Sequence, residues 1–331
     1  MVTAVLFLVS GALLVVAAEL FTNAVEWAGY RLRLGSGATG SLLAAIGTSL
    51  PETIVPVIAL ATRAPSANSI AIGAVLGSSL LLMTLATAAM GAAVALRRTR
   101  PELLLAPRQV HQDLGVFVAG YGAALVSILL PRPERVVVGV LLLLTYAWHV
   151  RRTLQSSEPE EEMPEPLHII RWHHSAPRPH PAFIALQLVV AILLLVVASE
   201  LFVNALHNVA GALGVPAMIL AIVVVPLATE MPEALNSVLW VRTNDDGLAF
   251  GNIAGSAAFQ ATVLAFIGLV FTTWRPSFGA ILGALLALAG GAVLLVVLWR
   301  GRARGTVLML AGVPWLAFVI AQVVSGGRLG A

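Results

Sequence analysis

Two hexapeptides hold residues that an apolar helix accommodates poorly: Gly47-Thr48-Ser49-Leu50-Pro51-Glu52 and Ala228-Thr229-Glu230-Met231-Pro232-Glu233. Each lies inside a long apolar run. Proline removes a backbone donor and frees the carbonyl four residues earlier. A glutamate at the middle of a bilayer costs about 2.5–3.5 kcal/mol to insert. Both faults, in the same order and twice over, predict an ion site in broken helices. The alternative is a pair of kinks whose acids hydrogen-bond to neighbouring helices. Glu19, Glu52, Glu200, Glu230 and Glu233 lie inside apolar runs, Glu26 lies nearer an end, and none of the 19 arginines falls near the middle of a run. Such carboxylates must be protonated, solvated or neutralised by a bound cation. Glu52, Glu230 and Glu233, with the hydroxyls of Thr48, Ser49, Thr229, Ser78 and Ser256, form an all-oxygen set. Hard cations such as Ca²⁺ and Na⁺ take such ligands, whereas zinc or copper would want histidine or cysteine. Carbonyls freed around Pro51, Pro226 and Pro232 could complete the shell. Two or three carboxylates suit one divalent ion, and several Na⁺ or protons meet the same charge. Antiport follows if these ions compete for one site and the protein changes its facing only when that charge is compensated.

The elements that must position this set are membrane helices. Of 331 residues, 59% are hydrophobic and 11% charged, with a mean hydropathy of +0.95. Soluble domains carry about 25% charged residues, so the composition is that of a polytopic membrane protein. A pI near 10.1 follows from arginine-rich loops and requires no nucleic-acid partner. The absence of cysteine excludes disulfides and thiolate metal sites. Spans are expected near 4–33, 36–62, 68–93, 110–130, 134–152, 182–213, 216–241, 247–272, 277–299 and 304–325. The first has no positive flank and reads as a span rather than a cleaved signal. Residues 1–152 and 182–331 thus form two five-helix units, joined by a linker over 153–181. Its prolines and its acids Glu158, Glu160, Glu161, Glu162 and Glu165 point to a solvated, flexible segment. They lack the spacing of a calcium loop. His168, His173, His174 and His180 show no metal-ligand pattern and read as surface residues.

Arginines divide unevenly between the two sides of this arrangement. Odd-numbered connections hold 14 and the remainder 5, which predicts both termini outside and the long linker in the cytoplasm. The two halves also repeat. Glu19-Leu20-Phe21-Thr22-Asn23-Ala24 returns 181 residues later as Glu200-Leu201-Phe202-Val203-Asn204-Ala205, and Glu52 and Glu233 are separated by the same 181. Gly73-Ala74-Val75-Leu76-Gly77-Ser78 returns as Gly251-Asn252-Ile253-Ala254-Gly255-Ser256 at an offset of 178. Five spans per half is an odd number, so the second half enters from the opposite side, the architecture that places a transport site at the midplane. The Gly-xxx-Gly-Ser segments let another helix approach closely and offer hydroxyls. Glu19 and Glu200, each four residues before an asparagine, either line the ion path or bond to that asparagine. His207, near a helix end, reads as structural.

In these residues the sequence resembles the cation/calcium exchanger superfamily, most nearly the prokaryotic sodium/calcium exchangers, over about 10–93 and 190–272. The resemblance implies an all-α membrane protein of ten helices in two inverted five-helix repeats, with discontinuous helices at the midplane and a sliding two-helix gate. It also implies exchange of Ca²⁺ against Na⁺ at a cluster of four cation positions. The family's central glutamates fall on Glu52 and Glu233. Its hydroxyl ligands fall on Thr48, Ser49, Thr229, Ser78 and Ser256, and its backbone carbonyls on Ala45 and Pro226. The chain departs from the pattern at Glu230, where a serine is usual, and at Leu82 and Gln260, where an asparagine and an aspartate are usual. Ser79 and Ala257 replace the asparagine that usually follows Gly-Ser. One carboxylate is thus lost at 260 and one gained at 230.

The reading is a cation antiporter of the inner membrane, not an enzyme. It exports Ca²⁺ against Na⁺, with Ca²⁺/H⁺ or other cation exchange as the alternative. It needs no cofactor beyond the transported cations, and its partners are inorganic cations and the bilayer. The sequence leaves the oligomeric state open, a monomer being sufficient. An intramembrane lipid enzyme would need a DxxxD metal pair or a Ser/His nucleophile pair, and neither is present. A cation channel and an inactive homologue are the other readings, separated by whether flux needs a counter-ion and whether it occurs.

Overall fold

The computed structural model describes residues 2–31, 49–63, 66–155, 165–170 and 179–325. Within the first half, α1 (Val2–Arg31) is followed by α2 (Leu50–Ala61), α3 (Ala67–Leu81) and α4 (Thr87–Leu96). A π-helical turn over Leu82–Ala86 makes α3 and α4 one rod. Then come α5 (Pro107–Val126) and α6 (Arg132–Gln155). The second half repeats this order. It runs through α7 (Pro181–Leu213), α8 (Ala217–Thr229), α9 (Met231–Thr243) and α10 (Asp246–Phe259), then a π turn over Gln260–Leu264 and α11 (Ala265–Phe271). The chain closes with α12 (Phe278–Val297), α13 (Gly305–Met309) and α14 (Gly312–Val324). Nine expected spans coincide with described helices; the second lies partly outside the described residues. Among the described residues, eight helical runs are long and apolar enough to cross a membrane. Outward-facing Leu8, Leu144, Val293 and Val323 are each more than half exposed, as lipid-facing side chains must be.

The halves pack reciprocally. The α3–α4 rod lies against α12 and α13, and the α10–α11 rod lies against α5 and α6. The two first helices, α1 and α7, lie along one another, with Phe7 stacked on Phe202 at 5.0 Å. The π turns fall at Leu82 and Gln260, the same register of the repeat.

The first Gly-xxx-Gly-Ser segment does what its small residues predict. On α3, a Cβ at Gly73 would lie 2.5 Å from the Met218 carbonyl, and one at Gly77 would lie 2.6 Å from the Ile222 Cα. The α3 and α8 backbones are therefore in direct contact, with no flexible side chain to give way. Gly77→Val is expected to destabilise the fold by about 3 kcal/mol, the upper end of ordinary overpacking, read as a lowered thermal midpoint in detergent.

The segment before α7 departs from the expected solvated linker. Leu167 is 1% exposed and packs with Trp27 and Ile184. Asn23 and Trp27 donate to the Glu165 carbonyl, and buried Gln187 accepts from the Ile169 amide at 2.9 Å. Composition spoke for solvent here, but one buried leucine and hydrogen bonds with Asn23, Trp27 and Gln187 of α1 and α7 tie residues 165–170 to the helices. Glu158, Glu160, Glu161, Glu162, His173 and His174 lie outside the described residues.

A two-stranded sheet, β1 (Glu102–Leu104) with β2 (Arg302–Arg304), ties the halves at one end. Beside it, buried Asp246 accepts from Arg97 and Arg100, both at 2.6 Å, and from the Leu104 amide at 2.7 Å.

Candidate functional site

The prolines of the two hexapeptides start helices rather than kink them. Pro51 lies in the first turn of α2 and Pro232 in that of α9, where a missing N–H costs nothing because no helical partner exists for it. Glu52 and Glu233 therefore occupy the first turns of half-helices, at the positive end of the helix dipole. Glu230 is the junction residue between α8 and α9. Pro226 lies inside α8, and its carbonyl accepts from the Glu230 amide at 2.8 Å. It keeps one lone pair but is not freed as expected.

These breaks bring three acids together. Glu52, Glu230 and Glu233 are each 0% exposed, and one carboxylate oxygen from each lies within 4.8 Å of the others. A cation in the plane of three such oxygens sits at most about 2.8 Å from each (4.8 Å divided by √3), against Ca²⁺–oxygen distances of about 2.3–2.6 Å. That upper limit lets the three oxygens close on a cation of the size of Ca²⁺. Two bare charges at this separation repel by about 3 kcal/mol at an effective dielectric constant of about 20. Arg97 and Arg100 pair with Asp246, and Arg304 with Glu102, all away from this cluster. Three carboxylates buried this close together favour uptake of cations or protons.

Gln260 organises the set. Its amide donates to Glu230 Oε1 at 2.8 Å and to Glu52 Oε1 at 3.4 Å, while its carbonyl accepts from Ser79 at 3.2 Å. The π turn that begins at Gln260 aims it inward, a common use of π-helical turns at functional sites. Gln260→Leu would leave both carboxylates without this donor. It is expected to weaken Ca²⁺ binding about 10- to 100-fold, as loss of an outer-shell partner does, read by calorimetry on the purified protein.

The hydroxyls are distributed unevenly. Ser49 stands beside Glu52 and Ser78 beside Glu230 without a well-aligned hydrogen bond, and both are buried. Ser256 lies one turn before Gln260, buried and without a hydrogen-bond partner. Thr229 is buried and donates to the Val225 carbonyl at 3.1 Å. Thr48 and Ala45 lie outside the described residues. Glu19 is exposed and meets His168 at 3.2 Å, and Glu200 is exposed. Asn23 bonds to Gln187 and to the 165–168 backbone instead of to Glu19.

Two positioning residues were not expected. Asn252 donates to the Glu233 carbonyl at 2.9 Å and to Ser237 at 3.1 Å, fixing the start of α9 against α10. Ser79 orients the Gln260 amide. The signal for Asn252 was a lone amide among small apolar residues, at a register where the first half has Ala74.

The family description for the sodium/calcium exchanger protein matches residues 2–151 and 183–324. The chain belongs to that family. The exchanger is 26% identical over 284 residues to the putative antiporter CaxA of Alkalimonas amylolytica, covering 81% of this chain and 80% of that one. It is 24% identical over 252 residues to the uncharacterized membrane protein MJ0091 of Methanocaldococcus jannaschii, covering 76% of each. Its fold matches the crystal structure of the H⁺/Ca²⁺ exchanger CAX with a TM-score of 0.78, at 16% identity over 97% of this chain and 82% of that one. It also matches the sodium-calcium exchanger NCX_Mj soaked with Na⁺ and Ca²⁺, with a TM-score of 0.65 at 18% identity, covering 97% and 98%. The exchanger is thus an all-α, multi-pass membrane cation antiporter of the cation/calcium exchanger superfamily.

Proposed function

We propose that the exchanger binds one Ca²⁺ between Glu52, Glu230 and Glu233 and releases it across the membrane in exchange for Na⁺. The observation that carries this reading is the buried carboxylate triad within 4.8 Å, an all-oxygen set of the kind that Ca²⁺ takes. Gln260 holds two of the acids in place, and Ser49, Ser78 and Ser256 supply further oxygens. The charge on the triad couples the two ions. Empty, it is too repulsive to stay ionised in a low-dielectric interior; filled by one divalent ion or by several monovalent ones, it is compensated. Movement of α1 and α7 past the core then exposes the filled site to either side. The proposed setting is the inner membrane, with both termini outside, the 153–181 segment in the cytoplasm and a monomer as the working unit.

A second reading, exchange against H⁺, is favoured by the acid at 230 and the amide at 260. Three clustered carboxylates accept protons as readily as sodium ions, and the amide supplies no charge of its own. Purified protein in vesicles distinguishes them. An outward Na⁺ gradient at fixed pH is expected to drive ⁴⁵Ca²⁺ uptake, and a pH gradient without Na⁺ is not. Uptake on the pH gradient alone assigns H⁺, and uptake with no counter-ion at all makes the protein a channel.

A further inference from the structure

Helices α5 and α6 leave a cleft of about 580 Å³ between them at the end where α5 begins and α6 finishes. Its mouth is basic. Arg108 on the first turn of α5 and Arg151 and Arg152 near the end of α6 are exposed. The Arg152 guanidinium lies 5.3 Å over the ring of Trp148, which is itself 53% exposed, as interfacial tryptophans in membrane proteins are. Gln112 also lines the cleft, and its Nε2 is buried with no hydrogen-bond partner. Among the described residues, no carboxylate lines it; the nearest acid on α5, Asp113, is buried and faces His149 at 3.5 Å.

The floor differs from the mouth. Gly115, Val116 and Ala119 line it, and a Cβ added at Gly115 or Gly122 would meet nothing within 4 Å, so the seam between the helices is open. Past it, α6 presents Val137, Leu141 and Leu144 to the lipid. A cationic mouth with an unpaired donor, above an open apolar seam that faces the bilayer, has the two-part chemistry of a phospholipid. We propose that this cleft binds an anionic phospholipid. Arg108, Arg151 and Arg152 hold the phosphodiester headgroup, and an acyl chain lies along the seam beside Gly115 and Ala119. Arginine suits this role because its planar fork pairs with two phosphate oxygens at once. Basic pockets between membrane helices are recurrent headgroup sites. A free phosphate would use the arginines but gain nothing from the seam.

The cleft is connected to the ion site through α6. That helix packs on the second π turn, and its Tyr146 meets Phe259, the residue before Gln260, edge-on at 5.4 Å. A lipid bound here would steady the helix against which Gln260 is seated.

The test is native mass spectrometry on the detergent-purified protein, titrated with phosphatidylglycerol, phosphatidylcholine or inorganic phosphate. Phosphatidylglycerol is expected to bind preferentially. The triple variant Arg108→Gln/Arg151→Gln/Arg152→Gln is expected to bind it about a hundredfold more weakly, from roughly a tenfold loss or less per arginine near a lipid surface. Gly115→Leu fills the seam without touching a charge or a packed neighbour, and is expected to weaken phosphatidylglycerol as well. Equal binding of phosphatidylcholine, unchanged binding in both variants, or displacement by equimolar inorganic phosphate would each overturn the proposal. A lipid-free thermal midpoint equal to that of the parent protein confirms that the variants fold.

Discussion

Glu52→Gln and Glu233→Gln are each expected to reduce cation-driven ⁴⁵Ca²⁺ exchange in vesicles by at least about a hundredfold. Loss of an outer-shell partner already costs about 10–100-fold in metal affinity, and these two are direct candidates for the shell. Each substitution removes a charge but keeps the side chain's shape and hydrogen-bonding ability, so folding is spared. The two acids come from opposite halves of the chain, on α2 and α9, and both lie in the fully buried triad. With either one neutral, a divalent ion loses a third of the negative charge that balances it. Relief of repulsion between the remaining acids stabilises the empty protein, so the variants are expected to melt no lower than the parent. Exchange within a factor of two of the parent in both variants would remove these residues from the site.

Asp246→Ala is expected to have the largest effect on stability. Asp246 is 3% exposed and accepts from Arg97, Arg100 and the Leu104 amide. Arg97, only 4% exposed in its side chain, would be left buried without its carboxylate. Breaking a buried pair by removing one partner costs about 3–5 kcal/mol, because the other charge stays behind. The loss falls where α4, β1 and α10 meet, so it loosens the junction of the halves rather than the ion site. A thermal midpoint in detergent close to that of the parent would show that Asp246 does not hold them together. Arg100→Ala, at a side chain 36% exposed, is expected to cost far less, since water replaces the lost contact.

Much of the candidate site was legible because polar residues in an apolar run have few innocent uses. Glu52 and Glu233 announced themselves by sharing an offset with Glu19 and Glu200, and Glu230 by standing beside one of them. Hydropathy placed nine described helices correctly because span length is set by bilayer thickness, a constraint that acts locally along the chain. Gln260 was harder. Against the family pattern that the sequence resembles it is an acid lost, yet in the fold it is the amide that bonds to Glu52, 208 residues away, and Glu230, 30 away. The prolines were read as helix breakers, and the fold uses Pro51 and Pro232 as helix starters, a difference that depends on where the chain enters each half-helix.

By itself, the sequence determined that this is a membrane protein with acids inside apolar runs at corresponding places of two similar halves. Transfer energies and residue order act within one segment at a time, and they suffice for that. Only the tertiary structure decided that the three acids come together, that Gln260 serves them, that Asp246 clasps two arginines, and that residues 165–170 are tied to α1 and α7 through Leu167 and hydrogen bonds. Each of these depends on which helix faces which, and packing between distant segments sets that.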